Sequence, residues 1–114
     1  MIDDYRFGRM VIDGAVHEHD VIVFPDHVQG DWWREEGHQL QLADIEDALT
    51  AFACSTLVVG TGKFGILQVV DEVKRFCESN NIRLYAEPTA KAVKMYNRLA
   101  LSDPGVLGAF HLTC

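Results

Sequence analysis

A chain of 114 residues has the size of one folded domain, residues 1–114, with no room for a second independent core. Its 48% hydrophobic and 24% charged residues supply enough apolar material for a core without disulfides or a structural metal. Ten Lys and Arg against seventeen Asp and Glu leave a formal charge of -7, which repels a phosphate backbone and excludes nucleic acid as the natural partner.

In chain order, residues 7–12 and 15–24 read as two extended segments. Asp13-Gly14 joins them, a dipeptide suited to the positive φ of a tight turn, so a β-hairpin is predicted at the N-terminus. Pro25-Asp26 ends the hairpin, and residues 28–39, with Gly30, Trp32, Trp33 and Gly37, follow neither secondary-structure period and read as an irregular loop. Leu42, Ile45, Leu49 and Phe52 then recur at helical spacing over residues 43–53, with Asp44, Glu46 and Asp47 early, where they oppose the positive end of the helix dipole. Residues 56–59 form a continuous apolar run, the pattern of a strand covered on both faces.

A glycine-rich turn at residues 60–65 leads to a second helix marked by Val69, Val70, Val73, Phe76 and Cys77, ending at Asn80-Asn81. Residues 82–86 return as a strand. Thr89, after Pro88, is placed to cap a third helix whose Ala92, Val93, Tyr96 and Leu99 share a face. Residues 102–105 break it, and residues 106–112 supply a last strand. The order ββαβαβαβ implies an α/β fold with a partly parallel sheet covered on both sides.

No apolar run approaches the roughly 20 residues that span a bilayer. The acidic start Met1-Ile2-Asp3-Asp4-Tyr5 has the character of neither a signal nor a transit peptide, so the expected setting is the cytoplasm. Cys54, Cys77 and Cys114 are odd in number and lack Cys-x-x-Cys spacing, which predicts reduced thiols and no zinc site.

Several stretches agree in order and spacing with one family. They are Phe24-Pro25, Trp32-Trp33-Arg34-Glu35-Glu36-Gly37-His38, Val58-Val59-Gly60-Thr61-Gly62, Glu87-Pro88-Thr89-Ala90, Tyr96-Asn97 and His111-Leu112-Thr113-Cys114. Through them, over essentially its whole length, the chain resembles the Mth938-like proteins of unknown function (domain of unknown function 498). Relatives in that family include a human adipogenesis-associated protein and a mitochondrial assembly factor of respiratory complex I. The resemblance implies a three-layer α/β fold with a mixed central sheet and helices on its faces. It carries over no catalytic residue.

Two constellations stand out as candidate sites. Gly60-Thr61-Gly62-Lys63-Phe64-Gly65 matches G-x-G-x-x-G after a strand, but Ile66, Leu67 and Gln68 separate the glycines from the next helix, and the chain lacks a second mononucleotide half. No dinucleotide cofactor is expected. A turn required by backbone geometry is one reading. The other is an anion site formed by Thr61, Gly62, Lys63 and Gly65 with Glu87 and Thr89, if residues 56–59 and 82–86 are parallel neighbours. Trp32, Trp33, Arg34 and His38 form the second constellation, either a lid over the core or a partner-binding surface rich in the residue types that dominate interfaces.

Other combinations carry less. His17 and His19 lie two apart with Asp20 and His27 close in sequence, a common spacing that fixes no third metal ligand, so no metal is expected. His111 and Cys114 are offset by three, which on a strand puts them on opposite faces and predicts a packed His111. No nucleophile elbow, phosphate-binding G-x-x-x-x-G-K or H-E-x-x-H is present. The chain therefore reads as a noncatalytic protein-binding or assembly-factor-like module, with a protein partner or a homodimer. The alternative is a small protein or enzyme that binds an anionic metabolite at the glycine loop.

Overall fold

The computed structural model describes residues 1–114. Its strands are β1 (Ile2–Arg6), β2 (Arg9–Ile12), β3 (Ala15–His17), β4 (Val21–Val23), β5 (Val28–Gln29), β6 (Gln39–Leu40), β7 (Thr56–Thr61), β8 (Gln68–Val69), β9 (Arg83–Glu87) and β10 (Val106–His111). The helices are α1 (Leu42–Thr50), α2 (Asp71–Ser79) and α3 (Thr89–Ala100). The two apolar runs β7 and β10 are buried at every residue and lie side by side, parallel, at the centre of a five-stranded sheet of order β5-β4-β10-β7-β9. β9 is parallel to β7, as a crossover through α2 demands, while β4 runs antiparallel to β10.

Alternation along these strands divides the interior into two cores. Leu57, Val59, Leu107 and Ala109 point to the face covered by α1 and α2, where they meet Trp32, Leu40, Ile45, Leu49 and Val73. Val58, Val106 and Phe110 point to the other face, where α3 contributes Ala92, Val93 and Tyr96 and the small sheet β1-β2-β3 contributes Ile2, Met10 and Ile12. Each fully buried Leu, Ile, Val or Phe contributes roughly 1.5–3 kcal/mol, so this double-sided sheet dominates stability. Three layers result, with β7 and β10 in the middle.

The N-terminal region is richer than the sequence pattern alone indicates. The turn at Asp13-Gly14 has φ of 48° and 82° and joins β2 to β3, but β1 precedes them and makes the sheet a three-stranded meander. Residues 15–24 are not one strand either. The chain leaves the meander after His17 and enters the central sheet at Val21, so residues 18–20 carry it from one sheet to the other. Residues 28–39, expected to be irregular, contribute β5 at one edge and begin β6, which pairs in parallel with β8.

Candidate functional site

The crossing from meander to central sheet sets up the most polar part of the interior. β10 pairs with β4 through Phe110 and Val21, so one step further Asp20 stands opposite His111 at the end of the sheet. Asp20 Oδ2 accepts from His111 Nδ1 at 2.8 Å and from Arg34 Nη1 at 2.7 Å, and Oδ1 accepts from the Leu112 N–H at 2.8 Å. The side chains of Arg34, His111 and Asp20 are only 4%, 9% and 14% exposed. Burial alone would push the Asp20 carboxyl up, but the hydrogen bonds from His111, Leu112 and Arg34 outweigh it and hold its pKa below the ordinary value.

With the carboxylate at 2.8 Å, the His111 proton sits on Nδ1, so the 3.1 Å approach of Arg34 Nη2 to that nitrogen is a contact rather than a hydrogen bond. Nη2 instead donates to the Gly37 C=O at 3.0 Å, closing the loop of residues 34–37 on itself. The guanidinium also lies over the Trp32 ring, 4.8 Å from its centroid. Trp32 is buried at 3% exposure, and its Nε1 donates to the Asp44 C=O in the first turn of α1. The Asp44 carboxylate accepts from Gln41 N–H at the start of that helix, which ties loop and helix together.

Of the four residues proposed for partner binding, the structure therefore turns Trp32 and Arg34 inward as anchors. Trp33 is 73% exposed, with its ring 5.3 Å from that of His19. His38 is exposed, 6.3 Å from the His111 ring and edge-on to it.

The glycine turn reaches the same place from the other side. A Cβ on Gly62 would lie 2.9 Å from His111 Cδ2, so the two candidate stretches both pack against this one histidine. Thr89 was expected to cap α3, but Pro88 takes that position. The Thr89 hydroxyl, fully buried, accepts from Gly62 N–H at 2.8 Å and donates to the His111 C=O at 2.6 Å. It ties the ends of β7 and β10 to the start of α3.

Most of the amides that the sequence offers to an anion are engaged internally. Gly62 donates to Thr89, Lys63 to the Thr113 C=O, Gly65 to the Gly62 C=O, and Thr89 N–H to the Gly62 C=O. Ile66 donates to the Cys114 C=O and Leu67 to the Thr61 C=O. Residues 113–114 thus pack on the turn itself: a Cβ on Gly62 would run into Cys114 and one on Gly60 into Phe110 and Thr89, whereas Gly65 has room for a Cβ and answers to its positive φ of 69°. Thr61 is buried. Lys63 is exposed, its ammonium 5.7 Å from the Phe64 ring, and Glu87 pairs with Lys91 at 3.4 Å.

His17 lies on β3 while His19 belongs to the crossing, and His27 stacks on Phe24 and pairs with Asp26. Four cavities of about 310–420 Å³ are lined by residues other than His111. A groove of about 320 Å³ does border the glycine turn, lined by Thr61, Gly65, Gln68, Lys74 and Pro88.

Comparison with known proteins decides the family. The profile described as "Protein of unknown function (DUF498/DUF598)" matches residues 2–111. The chain belongs to this family. Among solved structures similar to this chain, a conserved hypothetical protein of Pyrococcus horikoshii is 26% identical, with a TM-score of 0.84 over 100% of this chain and 99% of that one. The protein MT938 is 25% identical, with a TM-score of 0.79 over 100% and 98%. A Mth938-like domain of Bordetella pertussis, 17% identical, shares the fold with a TM-score of 0.73 over 98% and 85%. The Mth938-like resemblance and its mixed-sheet, three-layer fold hold. No helix of this DUF498/DUF598 member is long and apolar enough to cross a membrane.

Proposed function

We propose that the chain is a noncatalytic protein-binding module, in the manner of an assembly factor. It takes its partner at the end of the central sheet where the parallel strands β7 and β10 finish. The reading rests on one observation: large apolar side chains are held out into solvent by the two stretches packed on His111. Trp33 is 73% exposed, Phe64 69% and Ile66 43%, although the residues beside them are anchored by buried side chains or engaged amides. Rigidly presented aromatic groups bind with little loss of conformational freedom, which makes them efficient interface anchors. The closed hydrogen bonding around His111 favours a structural over a catalytic role for it.

Native mass spectrometry on protein captured gently from a lysate of its own source tests this. Wild type should retain a protein partner that is lost from Trp33→Ala and from Phe64→Ser, while both variants melt within a few degrees of wild type. A partner retained equally by both variants sinks the reading. So does a retained small anion, which would transfer support to an anionic metabolite in the groove beside Lys74.

A further inference from the structure

β9 is the outer strand of the central sheet, with β7 on one side and no strand on the other. Arg83 N–H donates to the Ser55 C=O at 3.0 Å, so Arg83, Tyr85 and Glu87 turn their main-chain groups toward β7. Leu84 and Ala86, one step out of phase, turn theirs away from the sheet. An edge of this kind is a template for another strand unless a proline, a bulge or repelling charge blunts it. β9 has no proline, its register with β7 is unbroken, and its end charges are of opposite sign.

We propose that this edge pairs with the same edge of a second copy, antiparallel, about a two-fold axis at Tyr85. Hydrogen-bonding phase leaves few registers, because outward-facing residues must meet outward-facing residues. Centring on Leu84 sets Ile82 opposite Ala86, and the Ile82 N–H is already spent on the Cys77 C=O at 2.8 Å. Centring on Ala86 sets Pro88, which has no N–H, opposite Leu84. Centring on Tyr85 sets Leu84 opposite Ala86 twice, so every outward amide and carbonyl of β9 finds a partner in roughly four hydrogen bonds.

The same register places Arg83 opposite Glu87 of the second copy at both ends, with Tyr85 facing Tyr85 between them. These three side chains share a face, so each opposite-charge pair sits beside the tyrosines. Glu87 is free to join because its pair with Lys91 is exposed, the lysine side chain at 66%. Self-complementary charge argues for a second copy rather than an unrelated strand. The contact is small and each copy carries a formal charge of -7, so association is expected to be weak and concentration-dependent. It is independent of the partner surface at the end of the sheet.

Sedimentation velocity over concentrations up to millimolar tests the pairing. Wild type should dimerise, and Arg83→Glu and Glu87→Arg should each raise the dissociation constant by about tenfold or more, since like charges then face each other twice. The double variant should return to near wild type. Ala86→Pro removes an outward N–H and fixes φ without taking a hydrogen bond from β7, so it should abolish the dimer while circular dichroism shows the fold retained. A monomer at every concentration overturns the proposal, as does a dimer indifferent to both Arg83→Glu and Ala86→Pro.

Discussion

The turn around Gly62 and the loop that carries Trp32 and Arg34 both close the same end of the central sheet, but they are secured differently. The first is held by main-chain amides donating to Thr89, Thr113 and Cys114, and needs small residues because the backbone comes close. The second is held by two long side chains driven into the interior, one onto α1 and one onto Asp20. Where backbone does the holding, little of the segment's own amide chemistry is left for a ligand. Where side chains do it, the residue between the anchors, Trp33, is left outside.

Breaking the side-chain anchorage should have the largest effect. Asp20→Ala strands the Arg34 guanidinium in the interior and should lower stability by about 3–5 kcal/mol, read from urea denaturation. A loss under about 1 kcal/mol would mean that the buried cluster does not hold the loop. Breaking the main-chain closure comes next. Gly62 has a φ of 100°, and a Cβ there would run into Cys114 backbone, so Gly62→Val should lose roughly 2–4 kcal/mol. Gly65, with a φ of 69° and no atom nearer than 3.6 Å to an added Cβ, should lose only about 1 kcal/mol as Gly65→Ala. Equal losses at the two glycines would remove close packing as the reason for Gly62.

Acid provides the gentlest probe of the difference. Because the Asp20 pKa is lowered on folding, its contribution to stability is present above the unfolded carboxylate value of about 3.9 and fades as pH falls through the folded value. Asp103 follows the same rule, held down by the Gly105 N–H and the Ser55 hydroxyl. Melting temperature followed from about pH 6 to about pH 2 should therefore fall more steeply for wild type than for Asp20→Asn, with a residual acid slope left in the variant. Parallel curves would exclude Asp20 as a source of the acid sensitivity.

What could be read in advance followed from local pattern. The apolar runs of β7 and β10 and the helical spacing of α1 to α3 are legible because each is a regular signal over several residues, although Val69 and Val70, which the spacing assigns to the second helix, belong to β8 and to the N-cap of α2. β6 and β8 are two residues each and carry no period, so they were invisible. The break after His17 was hidden because residues on both sides of it favour extended backbone. Trp32 and Trp33 are identical as types, and only the fold tells the anchor from the exposed ring. In the sequence Asp20 stands beside only His17 and His19, because the groups it joins are 91 positions away in His111 and 14 in Arg34.

The position of β10 bears on how the chain reaches this structure. It lies between β4 and β7, yet both come earlier in sequence, and its ties to the start of β4 span 91 and 92 positions. Until β10 slots in, β4 and β7 each expose a complete hydrogen-bonding edge and the two cores have no shared wall. Folding of this kind is slow for its size, because a large loop must close before the central pairing rewards it. A chain still emerging from the ribosome would hold two sticky edges open from the completion of β7 until β10 follows, so shielding by a chaperone would matter more during manufacture than afterwards.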